Sequence, residues 1–159
     1  MVDLFDHTME YVFAVEGGYV NDPDDPGGET NYGISKRYHK DVDIKNLTKE
    51  DAKEIYYREY WVPNVTGKEQ FWAEDIVLFD TAIHLGPAQA KVLREVLTKR
   101  ESMDALKLIL FYRIPYYAAK GDSKYLRGFI NRVTNLSKFI YSVMPEKDSK
   151  FTFVCGGLK

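Results

Sequence analysis

The sequence predicts an all-α domain that carries one irregular, acidic segment and a short β piece near residues 30–35. Apolar residues recur at helical spacing through most of the chain, and glycines and prolines separate these stretches. Between Asn21 and Gly33 the density of Asp, Pro and Gly excludes a helix. With 159 residues, 45% of them hydrophobic and 29% charged, the chain has the length and balance of one globular domain.

The first helix is predicted to begin after Asp3, a residue type that favours the N-cap position. Its apolar residues share one stripe: Leu4, Phe5, Met9, Val12 and Phe13. The pair Gly17-Gly18 ends the helix, because glycine readily adopts the backbone conformation that follows a helix C-terminus. Glu16 is therefore expected in the last turn, at the edge of the core.

Two further signals follow the irregular segment. Residues 32–34 are predicted to form a short extended piece. Thr48 and Asp51 resemble a capping box, with Asp where Glu or Gln is usual, and open a helix that is predicted to end before Pro63. The apolar residues of this helix are Ala52, Ile55, Tyr56 and Tyr60.

The rest of the chain is predicted to contain four more helices. One runs from about Glu74 to Leu85, and the next begins at Gly86-Pro87, because proline suits a first helical turn. A third is capped by Ser102 and bends or ends near Pro115. The last helix follows Asp122 and is expected to bury Leu126, Phe129, Ile130 and Val133.

Cysteine usage and the N-terminus bear on the compartment. The single cysteine, Cys155, excludes an intramolecular disulfide framework and is compatible with folding in a reducing cytoplasm. The N-terminus lacks the basic segment and unbroken apolar run of a secretory signal, and no stretch reaches the roughly 20 apolar residues that span a bilayer. We therefore expect synthesis in the cytoplasm without a signal peptide, and no membrane insertion.

The net charge of −2 hides an asymmetry. Residues 1–80 carry 8 Lys+Arg and 18 Asp+Glu, whereas residues 81–159 carry 14 and 6. A cationic second half can steer a protein towards an anionic surface, although solvated helix faces explain the same charges equally well.

Glu16 is the leading candidate for chemistry. A carboxyl group that is half-buried against apolar residues such as Val12, Phe13 and Val15 is expected to hold its proton, because desolvation penalises the charged form. Cleavage of a glycosidic bond requires such a donor for the leaving oxygen. The adjacent pair Gly17-Gly18 lacks side chains and allows a polymeric substrate to approach closely.

The acidic loop supplies candidates for a second catalytic group, since a water-exposed carboxylate stays ionised, as a base or electrostatic partner must. Its acidic residues are Asp22, Asp24, Asp25 and Glu29. We prefer Asp25, with Thr30 orienting a water molecule through its hydroxyl. Asp22 is the alternative, because both aspartates are also common turn residues.

Aromatic side chains near these carboxylates are candidates for substrate binding, because flat rings form platforms on which sugars stack. Tyr19 and Tyr32 flank the proposed site, and Trp61 is a further candidate, together with Asp22 as a polar contact. Tyr56 and Tyr60 lie at helical spacing and are better explained as core residues.

Other ligand classes find no support in the sequence. A calcium loop counted from Asp22 would place Pro26 at its fifth position, where an oxygen ligand is required. His7, His39 and His84 lack the paired spacing of a zinc site. Basic and aromatic residues do not interleave as in a nucleic-acid-binding module. We expect no metal, no cofactor and no nucleic-acid partner.

The same motifs resemble those of a known family. The run from Glu16 to Pro23, followed by residues 25–28, Thr30 and Gly33-Ile34, resembles the signature of glycoside hydrolase family 108, the muramidases of phage endolysins and bacterial secretion systems. The resemblance covers most of residues 3–135. It continues at residues 52–63, Phe79-Asp80, Gly86-Pro87, Gly128 and residues 131–133.

The resemblance implies a lysozyme-like helical fold with Glu16 as the catalytic acid. It implies one domain over residues 1–144, consisting of a catalytic half at residues 1–87 and a helical half at residues 88–144 with a peptidoglycan-binding segment. A C-terminal tail would occupy residues 145–159.

The predicted activity is that of an N-acetylmuramidase, which hydrolyses the β-1,4 bond between N-acetylmuramic acid and N-acetylglucosamine. Glu16 would protonate the leaving oxygen, Asp25 would activate a water molecule held by Thr30, and the anomeric carbon would be inverted. A lytic transglycosylase and a non-catalytic wall-binding module remain alternatives. We expect a monomer that acts on peptidoglycan glycan strands after release or export.

Overall fold

The computed structural model describes residues 3–21, 28–65, 67, 72–98, 109–120 and 123–143. The chain divides into two compact units, Met1–Met103 and Asp104–Lys159. The described residues are mainly helical and include one short two-stranded sheet, which confirms the predicted fold class. None of the described helices combines the length and the hydropathy that crossing a membrane requires.

Helix α1 (Leu4–Glu16) opens the first unit as the sequence predicts. The backbone N–H of Phe5 donates to the Asp3 carboxylate at 3.0 Å, so Asp3 caps the helix and satisfies one of its free N–H groups. The buried face is formed by Phe5, Thr8, Met9, Tyr11 and Val12. The helix ends at Gly17, whose φ is 76°.

The irregular segment contains an antiparallel hairpin of β1 (Thr30–Asn31) and β2 (Ile34–Ser35), in which Thr30 pairs with Ser35 and Asn31 with Ile34. The short β piece predicted near residues 30–35 is confirmed, and Ile34 lies in a strand, but Tyr32 and Gly33 are not extended. Tyr32 and Gly33 form the turn, with φ of 51° and 79°, and two consecutive positive φ values are typical of a tight hairpin turn. The buried Asn31 amide donates to the carbonyl oxygens of Ile44 and Leu47, at 3.1 and 3.3 Å, and ties the hairpin to the following loop.

Helix α2 (Lys49–Tyr56) begins with the predicted capping box: the Thr48 hydroxyl accepts from Asp51 N–H, and the Asp51 carboxylate accepts from Thr48 N–H. The chain then continues through a π-helical segment (Tyr57–Trp61) into the short α3 (Val62–Asn64). The prediction that helix ends before Pro63 was therefore wrong. The π-helical segment starts a new turn, and a proline in the first turn of α3 needs no N–H donor.

Helix α4 (Trp72–Leu85) provides the centre of the first unit, with every residue from 75 to 82 buried. Burial on all sides marks a core helix, since a surface helix buries only one stripe. The Phe79 ring lies 5.0 Å from the ring of Trp61 and 6.0 Å from that of Phe5. Helix α5 (Pro87–Thr98) follows Gly86 as predicted and packs against α4.

The second unit contains a π-helical segment (Ile109–Arg113), α6 (Ile114–Lys120) and α7 (Ser123–Val143). The Tyr117 ring stacks on Phe129 at 4.3 Å. The buried residues of α7 are Arg132, Leu136 and Ile140.

The prediction of which face α7 buries was wrong for two residues: Leu126 and Ile130 are 42% and 56% exposed. The buried stripe passes through Arg132, whose long stem packs like an apolar side chain, and this places Ile130 outside it. Ser102 and residues 145–159, including Cys155, lie outside the described residues.

Candidate active site

Glu16 is the last residue of α1, and its side chain lies against the hairpin turn. A Cβ atom built on Gly33 would lie 3.0 Å from Glu16 Cγ and 3.1 Å from Glu16 Cβ. The same atom would overlap the hydroxyl of Tyr56. Because Gly33 also has a φ of 79°, only glycine meets both conditions without strain. The missing side chain allows the turn to pack directly on the stem of Glu16.

Tyr56 connects this turn to α2. Its side chain is 1% exposed, and its hydroxyl donates a hydrogen bond of 2.9 Å to the carbonyl oxygen of Tyr32. The prediction that Tyr56 is a core residue is confirmed. The end of α1, the turn of the hairpin and the end of α2 therefore meet at one point.

Aromatic rings line the inner side of Glu16. Phe13 precedes it by one helical turn, and the Phe13 ring packs edge-on against Tyr32, with the centroids 5.6 Å apart. The ring of Tyr56 lies 6.4 Å from the same Phe13 ring. Tyr32 adjoins Gly33, which contacts the stem of Glu16, and Glu16 itself is half-buried.

Gly17 and Gly18 follow Glu16 and are exposed. Among the described residues, no atom lies within 4 Å of a Cβ atom built on either glycine. Tyr19 and Val20, which follow, are 43% and 55% exposed. The backbone after Glu16 therefore leaves space beside the end of α1, which an extended substrate requires.

Tyr60 lies next to Tyr56, at the side of α2 that meets the hairpin turn. Its ring lies against Tyr56 at 5.5 Å, and its side chain is half-buried. Burial raises the pKa of the Tyr60 hydroxyl above its ordinary value of 10.0, and the nearby Glu59, Tyr38 and Glu16 raise it further. Tyr60 is therefore a neutral phenol within electrostatic range of Glu16.

The position of Tyr60 could not be predicted because the helix changes type next to it. In an α-helix, residues 56 and 60 lie on one face, which suggested that both belong to the core. The chain is π-helical over Tyr57–Trp61, and Tyr60 is only half-buried although its ring lies 5.5 Å from that of the buried Tyr56. No signal in the sequence marks this segment.

The acidic loop is closed at its base beside the end of α1. Val20 and Thr30 exchange two backbone hydrogen bonds of 2.8 Å. The Thr30 hydroxyl donates to the carbonyl oxygen of Gly28 at 3.2 Å, which leaves its oxygen lone pairs able to accept a hydrogen bond from water. Asp22, Asp24 and Asp25 lie outside the described residues.

Glu29 and Tyr19 form a hydrogen bond across the base of this loop. The Tyr19 hydroxyl donates to Glu29 Oε1 at 2.8 Å, and this hydrogen bond is the main reason that the pKa of Tyr19 is raised above 10.0. Tyr19 therefore lies on the exposed side of the site with its hydroxyl already engaged.

Trp61 is not brought to Glu16. Its ring packs on Phe5 at 5.3 Å and on Phe79 at 5.0 Å. Phe5 belongs to the first turn of α1 and Glu16 to the last, a separation of roughly 16 Å along the helix axis. The structure places Trp61 in the aromatic core around α4.

His39 is held by a side chain and by the backbone. His39 Nε2 lies 3.0 Å from the Glu59 carboxylate, and His39 Nδ1 lies 3.3 Å from the carbonyl oxygen of Ser35. Within the described ranges, no group of three or more His, Cys, Asp or Glu residues is arranged to hold a metal ion.

The chemistry that this arrangement permits is proton transfer at an open edge. The stem of Glu16 is held by Gly33 and flanked by the rings of Phe13 and Tyr32, while the adjoining backbone is open. A carboxyl group fixed in this way can donate a proton to an oxygen atom of a substrate that lies across the end of α1.

Comparisons with known proteins agree with this geometry. Residues 9–86 match the family model of glycosyl hydrolase 108. The fold is similar to the structure of Brucella abortus SagA, with a TM-score of 0.66 and 29% sequence identity over 87% of this chain and 94% of that one. A comparison with curated proteins gives no match. The matched segment contains the Glu16 region, both strands and helices α2 and α4, and this part of the chain is therefore similar to the glycosyl hydrolase 108 family.

Proposed function

We propose that the chain is an N-acetylmuramidase that hydrolyses the β-1,4 bond between N-acetylmuramic acid and N-acetylglucosamine in peptidoglycan. The placement of Glu16 is the observation that carries the proposal. Its stem is fixed by Gly33, and the exposed pair Gly17-Gly18 adjoins it. A glycosidase needs one carboxyl group in this situation to protonate the leaving oxygen.

Asp25 is the second catalytic group in this proposal, with Thr30 positioning the attacking water. The support is indirect: the Val20–Thr30 bridge anchors the acidic loop next to Glu16, and the Thr30 oxygen can accept a hydrogen bond. Asp22 is the alternative on the same loop. A carboxylate that leaves room for water between itself and the sugar gives inversion, whereas a carboxyl separation of about 5 Å gives retention.

The direct test compares Glu16→Gln with wild type in the clearing of purified peptidoglycan. The amide keeps the shape of the side chain but donates no catalytic proton, so the rate should fall by about a hundredfold or more. Glu10→Gln is the matched control, because Glu10 is an exposed glutamate on the same helix. A Glu16→Gln protein that clears peptidoglycan at the wild-type rate would overturn the proposal.

The second carboxylate is tested in the same assay with Asp25→Asn and Asp22→Asn. We expect the larger loss for Asp25→Asn, since the base or electrostatic partner must be ionised. A large loss for Asp22→Asn alone would exchange the two roles.

Analysis of the released products separates hydrolysis from the alternative reactions. Hydrolysis leaves reducing N-acetylmuramic acid ends, and the anomer formed first reports inversion or retention. Anhydro ends would instead identify a lytic transglycosylase. Binding to peptidoglycan with no released fragments would identify a non-catalytic wall-binding module.

A further inference from the structure

Tyr38 is an unusually exposed aromatic residue close to the candidate site. Its side chain is 75% exposed, the highest value among the large apolar side chains that the structure describes. The Arg37 guanidinium lies 5.6 Å from the centre of the Tyr38 ring, so a cation contacts the ring while most of it faces solvent. Burial of an aromatic ring lowers the free energy, so an exposed ring can stabilise a ligand that covers it.

The loop that carries Tyr38 is held by hydrogen bonds. The backbone N–H groups of Tyr38 and His39 both donate to the carbonyl oxygen of Ser35, at 3.1 Å. The His39 ring then reaches Glu59 at 3.0 Å, which ties the loop to the π-helical segment. Tyr38 is therefore presented at a set position relative to Tyr60, the residue after Glu59.

Tyr60 is connected to both Tyr38 and Glu16. Its neighbour Glu59 holds the His39 ring at 3.0 Å, and its own ring lies 5.5 Å from that of Tyr56, whose hydroxyl meets Gly33 beside the stem of Glu16. In agreement with this placement, Tyr38 and Glu16 both contribute to the raised pKa of Tyr60. No described residue forms a hydrogen bond with the Tyr60 hydroxyl, whereas the Tyr19 hydroxyl is taken by Glu29 and the Tyr56 hydroxyl by Tyr32. Tyr60 can therefore donate to a ligand at no cost to an internal bond.

We propose that Tyr38 and Tyr60 form a sugar-binding subsite beside Glu16, on the side of the hairpin that faces the π-helical segment. The Tyr38 ring stacks on the face of one pyranose ring of the glycan strand. The Tyr60 hydroxyl donates to an oxygen of the same or the adjoining sugar. This inference rests on the proposed function for its ligand, an N-acetylated glycan, and adds two residues that align the strand across the catalytic acid.

The chemistry of the ligand favours these two side chains. A pyranose ring has one face of C–H groups, which packs against an aromatic ring, and a rim of hydroxyl and acetamido groups, which needs hydrogen-bond partners. Tyr38 provides the ring and Tyr60 the hydroxyl. Contacts made away from the bond that is broken position the substrate, so their loss should affect binding first.

The experiment measures initial rates on soluble peptidoglycan glycan fragments for Tyr38→Ala, Tyr38→Phe and Tyr60→Phe. We expect Tyr38→Ala to raise KM about fivefold to tenfold, with kcat changed by less than about twofold. Tyr38→Phe keeps the ring and should restore the wild-type KM. Tyr60→Phe removes only the hydroxyl and should raise KM by about threefold to tenfold.

Tyr57→Phe is the matched control for the hydroxyl. Tyr57 is 47% exposed and belongs to the same helical segment, but its ring packs on Phe5 at 5.0 Å and not beside Glu16. An unchanged KM in both Tyr38→Ala and Tyr60→Phe would overturn the subsite.

Binding of the same fragments to the Glu16→Gln protein, with and without Tyr38→Ala, separates this inference from the proposed function. If binding depends on Tyr38 but the wild type cleaves nothing, the subsite stands and the proposed activity fails. If cleavage depends on Glu16 while Tyr38→Ala changes neither KM nor binding, the activity stands and the subsite fails.

Discussion

Gly33 and Glu16 are in contact although they lie 17 positions apart in the sequence: a Cβ atom on Gly33 would lie 3.0 Å from Glu16 Cγ. The contact is made from the backbone of one residue to the side-chain stem of the other. The position of the catalytic candidate therefore depends on a hairpin turn as well as on its own helix.

Gly33→Ala should disturb both stability and the position of Glu16. The new methyl group meets the Tyr56 hydroxyl and Glu16, at a backbone φ of 79°, so we expect the free energy of unfolding to fall by about 2 kcal/mol. Urea denaturation measures this change. Gly18→Ala is the control for stability, because its Cβ meets open space, and a loss of the same size in both variants would contradict the argument.

Tyr56→Phe should destabilise the junction between α2 and the hairpin. The Tyr56 side chain is 1% exposed, and its hydroxyl donates at 2.9 Å to the Tyr32 carbonyl oxygen. Removing the donor leaves a half-buried acceptor without this partner, which costs about 1 kcal/mol. Urea denaturation again gives the value, with Tyr57→Phe as the control at an exposed hydroxyl. Equal stability of the two variants would speak against the hydrogen bond.

The pKa of Tyr60 measures its electrostatic interaction with Glu16. Burial raises this pKa above 10.0, and Glu59, Tyr38 and Glu16 add to the effect. The difference in phenolate absorbance between wild type and Tyr60→Phe should therefore show one tyrosine that titrates above 10.0. In a Glu16→Gln background the pKa should be lower than in wild type but still raised, because burial remains.

The same shift predicts the pH dependence of stability. A pKa raised in the folded state favours the protonated folded form, so this contribution is complete below the unfolded value of 10.0 and is lost as pH rises through the folded pKa. Wild type should therefore lose more stability than Tyr60→Phe when the pH rises above 10.0. Parallel losses in the two proteins would show that Tyr60 makes no such contribution.

Asp3→Ala should lower the stability of the protein without changing its activity. The Asp3 carboxylate accepts from Phe5 N–H at 3.0 Å and caps α1 at the end opposite Glu16. Loss of an N-cap side chain costs about 1 kcal/mol. We expect a lower melting temperature but unchanged kcat and KM where the protein is fully folded. A fall in kcat under those conditions would mean that fraying of the first turn reaches the site.

The structural elements that could be predicted are those that depend on residues close together in the sequence. The Asp3 cap, the Thr48–Asp51 capping box and the stop at Gly17 each involve residues within a few positions of one another. Glu16 could accordingly be placed in the last turn of α1 from the sequence alone. Its surroundings could not, because Gly33 and Tyr56 reach it through the tertiary fold.

Backbone geometry that residue types do not reveal decides the surroundings of two aromatic residues. Tyrosine favours extended structure, yet Tyr32 adopts a φ of 51° in the hairpin turn. Trp61 lies in the π-helical segment, and its ring packs on Phe5 and Phe79.

The two hydrogen bonds between Val20 and Thr30 have a consequence for the length of the segment between them. They close the intervening segment at its root, so its length is decoupled from the helix that carries the proton donor. Each doubling of a flexible loop costs only about 0.6 kcal/mol in closure entropy. Changes of length between these two anchors should therefore alter the free energy of unfolding little and leave the end of α1 in place.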